Sequence, residues 1–268
     1  MRKSNVIVRY YFVQNKCDTF EKYFRIATIM YQTKKTFIKP DMKMSDLIFE
    51  NPSLLLMLEH FDINIVVREK SVEQICNEKQ ISPQVFLSIA NLYNGFHPVG
   101  GETLDKPDTK SVILFLKNSH RYYLGEKIPE IRNYILGLYV LNNIPEIRLV
   151  EKFFDEYSKE VKEHLDYEDV IAFPYFNNLV QDNRNSGSEE TKFSAGDYRD
   201  HHTDIETKLG ELKNLLLKHI PLRKDGPIRR KLLTALFELK YDLKIHAVIE
   251  ESILIPLIKK IERQNKIG

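Results

Sequence analysis

"HLDYEDVIAFP" runs from His164 to Pro174, and "HAVIEESILIP" runs from His246 to Pro256. Each reads histidine, glutamate four residues on, and proline ten residues on. His164 and His246, Glu168 and Glu250, and Pro174 and Pro256 are all 82 residues apart. The same interval separates His120, in "LKNSHRYYLGE", from His202, in "YRDHHTDIETK". The chain has only eight histidines, so four in one register report an internal repeat.

The spacing has a chemical consequence. Histidine and glutamate four apart on a helix share a face, with Cβ atoms about 6 Å apart. Two such helices, with one histidine from each of two more, bring four imidazoles and two carboxylates into one core. His120, His164, Glu168, His202, His246 and Glu250 are therefore the candidate metal ligands. A set rich in nitrogen and oxygen but without sulfur suits iron, manganese or zinc better than calcium or copper(I). Six ligands leave two octahedral ions with open positions, which favours reaction with a small diatomic. Glu206, four residues after His202, has Leu124 as its counterpart, and Glu251 and His201 merely adjoin ligands. These three stand outside the expected set. His60, His97 and His219 lack such partners and read as structural or surface residues. A proline inside a helix removes a hydrogen bond and bends the rod, so Pro174 and Pro256 are expected to splay their helices.

The rest of the chain reads as helical. Beyond Ser111, apolar residues recur at three- and four-residue spacing over 112–142, 145–180, 197–220 and 227–264. Short connections favour an up-down four-helix bundle over 112–268. Ser45, Ser71 and Ser82 open short helices, with Ser45 as an N-cap, which gives a small helical domain over 37–98. "HPVGGETLDKPDTK" marks a linker over 99–111, and residues 1–36 form an extension of unclear structure. The expected fold class is all-α. Forty basic and 38 acidic residues leave a net +2, which offers no electrostatic case for nucleic acid. Two cysteines, Cys17 and Cys76, cannot build a disulfide framework and fit a reducing compartment. No apolar run approaches the ~18 residues that span a bilayer. These features together read as a cytoplasmic protein.

The two H-x-x-x-E motifs, running into "AFP" and "LIP", resemble those of hemerythrin-type HHE cation-binding bundles. "FDINIVVREKSVEQICNEKQIS" is similar to the N-terminal domain of the RIC proteins, which repair iron–sulfur clusters after nitrosative or oxidative damage. The resemblance implies two carboxylate-bridged iron ions, with Glu168 and Glu250 bridging and the four histidines capping. It further implies dioxygen or nitric oxide as ligand, damaged iron–sulfur proteins as partners, and a possible homodimer. One departure stands out: the family's Cys-Cys-Gly-Gly run is replaced here by Val66-Val67-Arg68-Glu69. Chemistry that needs the vicinal thiols is therefore not expected. A hemerythrin-like sensor or store, and a helical interaction protein whose histidines bind nothing, are the competing readings.

Overall fold

The computed structural model describes residues 35–97, 103–142, 144–181, 194–195, 198, 205–221 and 225–267, the side chains of 205–207 and 266–267 excepted. The expected extension over 1–36 falls almost wholly outside them, as do His201, His202 and the Glu206 side chain. The described part is helical, without a strand, and Gln32–Gly268 forms one compact unit. No described helix is long and apolar enough to cross a membrane.

Four short helices come first: α1 (Met44–Glu50), α2 (Leu54–His60), α3 (Val72–Lys79) and α4 (Pro83–Tyr93). Ser71 opens α3 with a reciprocal capping box: its hydroxyl accepts from the Gln74 N–H, while the Gln74 side chain accepts from the Ser71 N–H. Ser45 does not cap α1. That helix begins at Met44 after an extended Lys43, whose backbone direction is fixed by a bridge to Ser71.

Four longer rods follow. α5 joins Asp108–Tyr122 to Ile128–Asn142, α6 joins Pro145–Tyr167 to Phe173–Val180, α7 starts from Ile205–Asn214, and α8 joins Gly226–Ile249 to Ile255–Ile267. α5 begins at Asp108 rather than near residue 112. α5 and α7 each pack against both α6 and α8. Every rod contains one π turn, at Tyr123–Lys127, Glu168–Ala172, Leu215–His219 and Glu250–Leu254. Each π turn is followed by an apolar residue and then a proline: Ile128-Pro129, Phe173-Pro174, Ile220-Pro221 and Ile255-Pro256.

The cause is the missing proline N–H and the clash of its ring with the carbonyl four residues back. Slipping one residue to an i→i+5 bond widens the turn and removes the conflict. Thus the Phe173 N–H bonds Glu168 O and the Ile255 N–H bonds Glu250 O. Pro174 and Pro256 therefore act through widened turns that begin at the two glutamates.

The apolar core is split in two. One cluster joins Leu54, Phe86 and Ile89 of the short helices, and Phe61 just after α2, to Leu116, Phe173 and Ile249 of the rods. The other joins Tyr123, Ile131, Phe154, Leu165, Leu236 and Leu243. Every expected ligand described on α5, α6 and α8 falls between them, as a polar layer.

The far end of the rods is closed by buried ions. Arg229 donates to the carbonyls of Leu216 (3.0 Å), Ile220 (2.8 Å) and Pro221 (3.0 Å), and to Asp225 Oδ2 at 2.8 Å. It thereby satisfies the orphan carbonyls at the end of α7. Arg229→Ala removes the cation that pairs with the buried Asp225 and should lower stability by about 3 kcal/mol. The check is a fall in the denaturation midpoint at unchanged slope.

Candidate metal centre

Glu168, wholly buried, is the hub of the polar layer. Its Oε2 lies 3.1 Å from His120 Nε2 and 3.9 Å from His246 Nε2, whereas its Oε1 lies 3.0 Å from His164 Nε2. Glu250 Oε1, also buried, lies 3.2 Å from His246 Nε2. Two groups result, each with ligand atoms within 4.8 Å of one another: His120, Glu168 and His246, and His164, Glu168 and Glu250. Three imidazoles and two carboxylates thus converge from three rods. The repeat accounts for this locally. In α6 and α8 the histidine stands one helical turn before the glutamate, and the π turn opens at the glutamate itself.

Electrostatics bind these groups to one another. Burial alone would push the Glu168 carboxyl up, but hydrogen bonds from His120, His164 and His246 hold it well below its ordinary value. Burial would likewise lower His246, yet the charge of Glu250 and bonds to both carboxylates raise it to about 10. His120 is also raised: bonds to Asp169 and Glu168 outweigh the burial that would lower it. Two imidazole nitrogens, His120 Nε2 and His246 Nε2, face each other at 3.4 Å. Glu168 Oε2, fully buried, makes no well-aligned hydrogen bond. A carboxylate and imidazoles brought together out of water, with ligand atoms within 4.8 Å of one another, form groups that could hold a cation once the imidazoles give up their protons.

Three residues outside the expected set support these groups. Ser119 Oγ lies 2.9 Å from His246 Nδ1 and donates to Leu116 O, so it accepts the Nδ1 proton and leaves Nε2 to face the layer. Asp169 Oδ2 lies 3.3 Å from His120 Nδ1. Tyr198, about 1% exposed, directs its hydroxyl at both carboxylates, 3.0 Å from Glu168 Oε1 and 2.5 Å from Glu250 Oε1. Burial and then the adjacent Glu250 push its phenol well above the ordinary range, so it remains a donor. Asp169 had a signal in the sequence: an acid follows the glutamate in both halves, Asp169 and Glu251, 82 residues apart. Tyr198 had none, because its counterpart is Leu116. Glu251 itself is exposed, beside Lys259, Lys260 and Arg263 on a surface cleft.

Two outcomes follow. Tyr198→Phe removes the donor that holds the carboxylates together and should cost the metal-free protein about 1–3 kcal/mol, read from its melting curve. In the metal-free protein the raised His246 contributes stability that is complete below pH 6.5 and lost as pH rises through about 10. The depressed Glu168 contributes stability present above pH 4.5 and lost on acidification through its folded value. Unfolding midpoints measured across pH should therefore peak between 4.5 and 6.5; a flat profile from neutral to pH 10 would contradict the His246 assignment.

No family model matches this chain, and no curated protein or solved structure is significantly similar to it.

Proposed function

We propose that the chain is a non-haem di-iron protein of the hemerythrin type, its rods forming an up-down four-helix bundle around two carboxylate-bridged ions. The observation that carries this reading is the division of Glu168: one oxygen turned to His120 and His246, the other to His164. A carboxylate so divided suits bridging between two cations. His202, placed by the repeat as the partner of His120, would complete the second group. The chain's own residues fix the geometry of such a pair. Ser119 holds the outer nitrogen of His246, Asp169 Oδ2 stands 3.3 Å from that of His120, and Tyr198 orients the carboxylates. Phe173 stacks on the His120 ring at 5.6 Å and shields that side from water. When bound, the ions would supply reversible binding and reduction of dioxygen or nitric oxide.

Within this reading, the resemblance to the RIC proteins favours a role in restoring iron–sulfur clusters damaged by nitrosative or oxidative stress, with the damaged proteins as partners. A second reading, a dioxygen or nitric oxide sensor or store without repair activity, is favoured by the residues at the position of the family's cysteine pair. Val66 is exposed and Val67 is buried there, so no vicinal thiols are presented. Cys76 is buried, and burial pushes its thiol up to about 12, which leaves it unreactive near neutrality.

Metal analysis of untagged protein should find about two iron ions per chain, and Glu168→Ala should lose both, because it serves both groups. Protein without bound metal would overturn the proposal. Restoration of a nitric-oxide-damaged iron–sulfur enzyme by the wild type but not by Glu168→Ala supports repair. Gas-dependent absorbance without restoration supports the sensor.

A further inference from the structure

A second buried carboxylate lies one helical turn before His246 but outside the ligand groups. Asp242, about 1% exposed, accepts from three side chains on three other elements. The Tyr93 hydroxyl donates to Oδ1, the Tyr123 hydroxyl donates to Oδ2 at 2.6 Å, and His60 Nε2 lies 2.9 Å from Oδ2. Tyr123 is wholly buried, in the π turn of α5. Its ring meets the His246 ring edge-on, with centroids 5.8 Å apart. Beyond Asp242 the chain of groups continues outward. The Tyr93 ring lies 6.1 Å from that of Tyr241, which is only partly buried. Docking the short helices onto the rods would need a hydrogen-bonded anchor; it would not need two phenols on one carboxylate, one of them against a metal-ligand imidazole.

We propose that Tyr123 is a redox-active tyrosine, with Asp242 as its proton acceptor and Tyr93 and Tyr241 as the continuation toward the surface. The inference rests on the metal reading above. A phenol oxidised in an apolar interior cannot keep its proton, because the radical cation would be a buried, unpaired charge. Here the proton has a place to go. The oxidant would be hydrogen peroxide: as its O–O bond breaks, two electrons and two protons from solvent complete two waters. One electron would come from a half-reduced ion pair held by these residues and the other from Tyr123 by way of His246. The Tyr123 O–H bond breaks as the proton bonds Asp242 Oδ2. The products are a neutral tyrosyl radical and a neutral carboxylic acid, so neither side chain carries charge. Tyr123 would return to the phenol by taking an electron from Tyr93 and the proton back from Asp242, whose Oδ1 then takes the Tyr93 proton. The partly exposed Tyr241 would in turn reduce Tyr93 and release its own proton to solvent, an outlet for oxidising equivalents that would otherwise attack the ligands.

The test is electron paramagnetic resonance of the half-reduced, metal-loaded full chain, frozen after mixing with hydrogen peroxide. The expected result is an organic radical signal that narrows when the protein carries ring-deuterated tyrosine. It should be lost in Tyr123→Phe and retained in Tyr122→Phe. Loaded wild type without a tyrosyl signal, or a signal that survives Tyr123→Phe, overturns the inference and leaves the metal reading standing. Metal content and circular dichroism are measured on the same samples. Should Tyr123→Phe fail to fold or load, fluorotyrosine at position 123 keeps the ring and hydroxyl and must change the hyperfine pattern; an unchanged pattern overturns the inference. A wild type that takes up no metal ion overturns the reading beneath it, and this inference with it.

Discussion

The fold is organised around carboxylates kept out of water. Glu168, Glu250 and Asp242 lie inside helices at 1% exposure or less, where a charge survives only if other groups compensate it. For Glu168 the compensation comes from three imidazoles and a phenol, and for Asp242 from two phenols and an imidazole. None of these donors is a sequence neighbour of the acid except His164, four residues before Glu168. Meeting the acids therefore fixes how the rods and the short helices approach one another. It also explains the divided core, since apolar side chains pack above and below the layer but not within it.

The histidine and glutamate positions that converge on α5, α6 and α8 were legible in the sequence because two periodicities coincide: four residues within a helix and 82 between halves. The supporting groups were not, because they act across helices. Ser119 serves His246 from 127 residues away, and Tyr198 serves Glu168 from 30 and Glu250 from 52. His60, set aside as structural or surface, is buried against Asp242, 182 residues on. No local pattern announces such a contact. The prolines were legible as interruptions, but not the way the backbone would absorb them. A kink and a π turn both answer a missing N–H, and only packing selects between them. Ser45 shows the converse: a good capping residue is overruled by a neighbour already positioned by tertiary contacts.

The small helical layer is more than a preceding domain. Its apolar residues share one cluster with the rods, and its polar residues reach the same helix that carries His246 and Glu250. Asn118 donates to the His60 carbonyl at 2.8 Å, two residues before the candidate ligand His120. The Tyr241 hydroxyl donates to Tyr93 O at 2.7 Å from α8. A displacement of α2 or α4 would thus be felt at the candidate metal layer through bonds made one turn from its ligands.

The repeat is also broken in an informative way. The ligand positions recur at 82 residues, but their surroundings do not: Tyr123 answers to Ile205, Tyr198 to Leu116, and Asp242 to Glu160. Glu160 lies on the surface, paired with Lys208, whereas Asp242 is sealed beneath the short helices. A duplicated helix pair explains matching ligands. It does not explain the buried Asp242 with its two phenols and imidazole, which lies where the short helices cover the rods. Two ions in such a layer would share Glu168 yet differ in hydrogen bonding and polarity, the properties by which a protein makes one ion of a pair easier to oxidise than the other.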